Sequence, residues 1–249
     1  IACGALLTAG RHLVRGDLSQ PGQPMEFFVN CATAATSFTC FYLLLCGAGV
    51  GRAYDDALCL VDWRRAPRLF FTLAPDHADF TAASSAQRAA LSEPAPEDAQ
   101  RFVIPDSREG WAEALEILEA MAHAGQADQA LVLDFSAIRP SGQPIRGLGG
   151  RPAPGPLPLL DAFFTLRAGV IAAPDAMPRW EQALHVDDIM AQAVIYGGLR
   201  RAARMAAKTW RDADAPRLAA GLDLPGHAGA AYALLVDADF WARLSPRAK

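Results

Sequence analysis

The sequence predicts an α/β fold, and three observations lead there. Strand-like apolar runs alternate with amphipathic helix-like runs along 249 residues, 52% of the chain is hydrophobic, and a Gly/Pro/Arg segment joins one such strand to one such helix. This content can bury one large core or two modest ones, and it excludes disorder for most of the chain. No internal repeat of fixed period is present.

The elements follow in order. Residues 1–30 are polar and turn-rich and lead into a short strand at 27–32. Residues 36–46 read as a buried helix closed by Gly47-Ala-Gly-Val-Gly51. Residues 52–100 mix apolar runs, such as 69–73, with Asp-, Ser-, Pro- and Ala-rich stretches. They read as an insertion or irregular segment with a solvated linker at 93–100. Asp106-Ser-Arg-Glu109 has the pattern of a capping box with Asp106 at the N-cap. Trp111, Ala114, Leu115, Leu118, Met121 and Ala122 then recur at helical spacing up to Gly125. A strand is predicted at 130–135, and helices at about 159–170 and 180–195. Gly197-Gly198 breaks the second of these, and 200–208 reads as a basic turn.

Composition narrows the function classes. The formal net charge is -4, so the molecule as a whole has no footprint for nucleic acid, whereas Arg is concentrated at 139–151 and 200–204. Small anionic ligands fit that pattern. The longest apolar run, 38–50, falls short of the ~20 residues a bilayer span needs, and no secretory leader is recognisable, so a cytoplasmic protein without membrane contact is expected. Five Cys without CxxC or zinc-type Cys/His spacing are expected to be reduced thiols, and no metal is assigned.

The most informative stretch is 139–158, RPSGQPIRGLGGRPAPGPLP. More than half of it is Gly or Pro, three residues are Arg and none is acidic, which makes a shaped cationic loop placed where backbone amides and a helix start can hold an anion. Arg139 and Arg146 repel each other unless an anion bridges them. Gly47 to Gly51 has GxGxG spacing where a dinucleotide loop requires GxGxxG, so a helix C-terminal turn is the preferred reading. An NAD-binding dehydrogenase stands as the weakest alternative, which a helix before those glycines would remove. His185-Val-Asp-Asp188 and Asp76-His-Ala-Asp79 read as surface or helix-face residues. Ser107 and Ser141 lack the setting of a hydrolase nucleophile. On residue grounds alone, Cys31 is a small buried apolar residue.

Taken together, Asn30-Cys-Ala32, Gly49-Val-Gly51, Asp106-Ser-Arg-Glu-Gly-Trp111, the run from Asp134 through Arg139 and Arg146 to Gly147, Gly155-Pro-x-Pro-Leu159, Gly197-Gly-x-Arg-Arg201 and Val236-Asp-x-x-Phe-Trp241 resemble, in the same order, segments of the adenosylcobalamin-dependent (class II) ribonucleotide reductases. The resemblance implies part of a ten-stranded α/β barrel with an inserted helical or irregular segment. Residues 1–51 would begin the barrel, 52–100 would be the insertion, and 101–249 would carry the effector helix, the specificity loops and more of the barrel. It implies radical reduction of ribonucleotides to deoxyribonucleotides with adenosylcobalamin as cofactor and a thioredoxin-type reductant.

It also implies site roles. Cys31 would be one of two thiols that become a disulfide. Arg139 and Arg146 would clamp the phosphates of a deoxynucleoside triphosphate effector, and Asp106 would hold its deoxyribose. Gly149 and Gly150 would lie in the first specificity loop, and Gly197, Gly198 and Arg200 in the second, with Arg200 nearest the substrate base. The family's Asn-Pro-Cys loop with the radical-forming cysteine is not in this sequence, so the chain reads as an inactive fragment of the enzyme. A deoxynucleotide-binding remnant is the alternative.

Overall fold

A computed structural model describes residues 31–145, 150–173, 177–196, 199–200, 203–219 and 230–243. The strand predicted at 27–32 therefore lies mostly outside the described residues; its end is β1, Cys31–Thr33. Helix α1, Ser37–Leu45, follows as the apolar run predicts, burying Ser37, Cys40, Phe41 and Leu44 at helical spacing. It stops because Gly47 takes a φ of 83°, open to glycine and costly for other residues, and its N–H returns to the Leu44 carbonyl. Gly49–Ala53 is then a strand, β2, and not the remainder of a turn. A helix precedes these glycines, which removes the dehydrogenase reading.

Residues 52–100 are more regular than expected. They contain a 3-10 turn at Trp63–Arg65, strand β3 at Arg68–Thr72, a second 3-10 turn at Phe80–Ala82, helix α2 at Ser85–Leu91 and the start of β4, Gln100–Val103. Ser84 and Gln87 close α2 with a reciprocal capping box. Trp63, Leu69, Phe71 and Leu73 join the same core as α1, so tertiary burial organises a stretch whose local signals conflict.

Helix α3, Arg108–Ala124, is capped by Ser107, whose hydroxyl accepts the Gly110 N–H at 2.9 Å, and not by Asp106. The Asp106 carboxylate is taken by Arg139. Gly125 ends α3 in the left-handed region at φ 72°. Strand β5 is Ala130–Asp134. The Gly/Pro/Arg stretch forms a short hairpin in which β6, Pro144–Ile145, pairs antiparallel with β7, Arg151–Pro152. Helix α4, Leu157–Leu166, runs on into a π turn at Arg167–Ile171, and α5 is Arg179–Gln192.

Two-residue strands β8, Ile195–Tyr196, and β9, Leu199–Arg200, pair next, followed by β10, Ala203–Thr209. The predicted basic turn at 200–208 is thus corrected to strand. β10 lies between β2 and β11, Ala230–Leu235, and pairing on both edges overrides the weak strand propensity of Ala-Ala-Lys. Short helices α6, Ala215–Ala219, and α7, Ala238–Arg243, complete the described elements.

The architecture is two parallel sheets with helices. One has the order β1-β2-β10-β11, the other β3-β5-β4, and every pairing in both is parallel. The chain leaves the first sheet after β2, builds the second sheet and α1-facing helices, and returns at β10.

Candidate functional site

The hairpin root is where the sequence-predicted nucleotide residues meet. Arg139 donates through Nε to Asp106 Oδ2 at 2.5 Å and through Nη1 to the Pro144 carbonyl at 3.2 Å. Both side chains stay about one third exposed, at 31% and 30%. Asp106 lies just before α3 and Arg139 just after β5, so the second sheet brings together residues 33 apart in sequence. A guanidinium carries five donors and these contacts use two, so a phosphate can be taken without dismantling the pair. Gly150 has φ 74° and donates to the Ile145 carbonyl, closing the hairpin turn. Arg146, Gly149, Gly197 and Gly198 lie outside the described residues. Arg200 is in β9, its backbone paired with Ile195.

Cys31 is elsewhere. It is exposed on β1, opposite Gly49, so the reading of it as a small buried residue is corrected, and this face of the first sheet is open. Met205 shares that openness at 49% exposure. Cys40, Cys46 and Cys59 are buried. Burial raises the Cys40 thiol far above the ordinary range and the Cys59 thiol to about 11, so neither is a nucleophile near neutral pH.

The other face of the first sheet carries a charged network that the sequence reading missed. Arg52 on β2 donates to Asp187 Oδ2 and to Ser37 Oγ, both at 2.8 Å, and the Tyr54 hydroxyl donates to the same Asp187 oxygen at 2.5 Å. Arg204 on β10 donates to Tyr54 at 3.0 Å and lies 2.5 Å from Asp188 Oδ1. Asp187 and Asp188 are therefore corrected from surface to interior, 2% and 6% exposed. Burial opposes the Arg52 charge and Asp187 beside it holds it; for Arg204, Tyr54, Asp187 and Asp188 do the same. Tyr54 is pushed well above its ordinary value, first by burial and then by Asp187. Two cations balanced by two carboxylates suit a structural lock between α1, α5 and the sheet, not a site that turns over. Periodicity held the signal: Trp180, Ala183, Leu184, Asp187, Asp188 and Ala191 form one helical stripe.

Lys208, fully buried on β10, is held by the Tyr54 carbonyl at 2.8 Å, Asp56 at 2.9 Å and Asp212 at 2.8 Å, above the Trp180 ring. Among the described residues no group of three or more His, Cys, Asp or Glu is arranged to hold a metal, and no helix is long and apolar enough to cross a membrane.

Comparison with known proteins adds to this geometry. Residues 74–169 match the family model of the B12-dependent ribonucleotide reductase insertion domain. A protein of Mycobacterium phage D29, named as an adenosylcobalamin-dependent ribonucleoside-triphosphate reductase, is 31% identical over 226 residues, 83% of this chain and 32% of its own length. The adenosylcobalamin-dependent ribonucleoside-triphosphate reductase of Lactobacillus helveticus is 35% identical over 108 residues, 42% of this chain and 14% of its own length. A crystal structure of a B12-dependent (class II) ribonucleotide reductase superposes with a TM-score of 0.65 at 25% identity, covering 82% of this chain and 29% of that one. The chain thus spans about a third of the phage relative and less than a third of the crystal structure.

Proposed function

The chain belongs to the B12-dependent (class II) ribonucleotide reductases, and from that premise we propose that it supplies such an enzyme with a reducing thiol and a regulatory deoxynucleotide site. The observation that carries the reading is the separation of the two: Cys31 sits exposed on the open face of a parallel sheet, while Arg139 and Asp106 sit together at a hairpin on another.

In the reaction, the 2'-hydroxyl of a ribonucleotide would leave as water while Cys31 and a second thiol give two electrons and become a disulfide, to be reduced again by a thioredoxin-type partner. Adenosylcobalamin, when bound, supplies the radical that opens the sugar to this reduction. Among the residues described, the donors offered are a thiol and nucleotide-binding groups, and none is assigned to the corrin. Cys31→Ser in the parent reductase should abolish multiple turnover with thioredoxin; sustained turnover would overturn the assignment.

At the hairpin, Arg139 would meet the phosphates of a deoxynucleoside triphosphate, a role Arg146 would share, and Asp106 would accept from the deoxyribose hydroxyl. Gly149, Gly150, Gly197, Gly198 and Arg200 would form the specificity loops that carry the effector's identity to the substrate base. The match at 74–169 to an insertion-domain model supports an inserted unit in this part of the chain, which the sequence reading bounds at 52–100.

A second reading, a deoxynucleotide-binding module without chemistry, has the Arg139–Asp106 pair in its favour. Calorimetry of this chain with deoxynucleoside triphosphates tests the shared premise: heat that Arg139→Ala removes supports binding, and its absence at millimolar ligand refutes it.

A further inference from the structure

Segment 74–82 packs under the root of the hairpin and grips it with side chains not used above. His77, its side chain 7% exposed, places Nε2 2.8 Å from the Ile138 carbonyl, while the Asp79 amide donates to its Nδ1 at 3.1 Å. A ring nitrogen that accepts a backbone N–H carries no proton, so the proton sits on Nε2 and Ile138 accepts it. Asp79 Oδ2 accepts the Ser141 N–H at 2.8 Å, and Ser136 Oγ accepts the Ala74 N–H at 2.8 Å. These contacts fall at 136, 138 and 141, on both sides of Arg139. Gly155, on the return from the hairpin, closes over the last of them: a Cβ there would stand 2.6 Å from Asp79 Oδ2 and 2.9 Å from the Ser141 nitrogen, and its φ is +74°.

We propose that His77 and Asp79 are positioning residues for the nucleotide site. They fix the backbone of 136–141 so that the Arg139 guanidinium is presented beside Asp106 before any ligand arrives, and they set deoxynucleotide affinity without touching the nucleotide. The physical reason is preorganisation. Arg139 has a long, rotamer-rich side chain, and a loop that wandered at its base would have to be ordered at the moment of binding, at the expense of affinity. This inference rests on reading the Arg139 hairpin as the effector site.

The test is calorimetric titration of the whole chain with dATP, dGTP, dCTP and dTTP, alongside amide exchange at Ser141. Asp79→Ala and His77→Ala should each weaken binding about tenfold, the loss expected when one well-made hydrogen bond no longer holds the loop. Asp79→Asn keeps an acceptor for Ser141 and His77→Gln keeps a donor for Ile138, so both should remain within about twofold of wild type. Rescue by these conservative variants separates positioning from general loss of stability. Gly155→Ala presses on the same hydrogen bond and should reproduce the loss, and it carries the test if the alanine variants do not fold.

Wild-type affinity in Asp79→Ala, or equal loss in Asp79→Asn, overturns the proposal. Unchanged exchange of the Ser141 amide in Asp79→Ala overturns it too, whatever the nucleotide does. Failure of the unaltered chain to bind any of the four nucleotides, with Ser141 protection lost in Asp79→Ala, sinks the effector-site reading and with it the role in affinity, while leaving the contact itself in place.

Discussion

Glu119 does from a distance what Thr36 does not do locally. Thr36 offers no side-chain cap to α1, and the Glu119 carboxylate on α3 accepts the Ser37 and Phe38 N–H groups at 3.0 and 2.9 Å instead. Burial is the largest influence on its titration and raises it above 4.5, against the lowering by those two amides. A carboxyl raised on folding binds its proton more tightly in the native state, so its contribution to stability is complete below about the unfolded value and is lost as pH rises through the folded one. Glu119→Gln removes that ionisation and sets an amide N–H against one of the two backbone donors. Urea unfolding across pH 4–7 should show the variant less stable by about 1–3 kcal/mol at the acid end, with a flatter loss of stability as pH rises. A wild-type curve no steeper than the variant's would refute this account. Glu119 could not be read as interior from its neighbours in sequence, and for Asp187 and Asp188 only the helical stripe they share with Trp180, Ala183, Leu184 and Ala191 pointed inward. The Glu119 partners Ser37 and Phe38 lie 82 and 81 residues away and the Asp187 partners Arg52 and Tyr54 lie 135 and 133 away, and a charge looks solvated until its partner is known.

Among the elements, α3 was the most legible, because cap, apolar stripe and terminal glycine agree over 17 residues. Its one misreading, Asp106 for Ser107 at the cap, arose because both are good capping residues and only the contact with Arg139 decides between them. Strand β10 was illegible for the opposite reason: Ala-Arg-Met-Ala-Ala-Lys-Thr has no strand pattern, and its conformation is imposed by β2 and β11. Gly110 shows how an element's context reverses an intrinsic preference. In an isolated helix, Gly to Ala is favourable by about 1 kcal/mol. Here a Cβ would fall 2.7 Å from Pro105 Cβ, Cδ and the Pro105 carbonyl oxygen, inside contact distance of a rigid ring. Gly110→Ala should therefore destabilise the chain by about 1–3 kcal/mol in denaturant unfolding, and a stabilised variant would show that the α3 entry is looser than described.

At the scale of the molecule, the alternation of strands and helices foretold an α/β fold, and the all-parallel sheets agree with it. That the strands fall into two sheets was not legible, since no local signal says which strands become neighbours. The first sheet is two-sided: Arg52, Arg204 and Lys208 face the helices, and Cys31 and Met205 are open. Brief alkylation of the native chain at pH 8 should modify Cys31, with Cys40, Cys46 and Cys59 reacting only after denaturation. Peptide mass spectrometry reads the pattern, and native labelling of Cys40 would contradict the packing of α1 against the sheet.

The adjacency of β2 and β10 has a kinetic side. Tyr54 and Arg204, joined by a hydrogen bond, stand 150 residues apart, so the central pairing of the first sheet closes a very long loop. Loop closure grows only slowly more costly with length, but nothing recovers that entropy until the strands meet in register. The excursion between them has its own parallel sheet and apolar core and can become ordered early. Zipping of β10 against β2 is then expected to be the late, slow step of refolding, and the buried Arg–Asp lock rewards the alignment that brings Arg204 to Asp188.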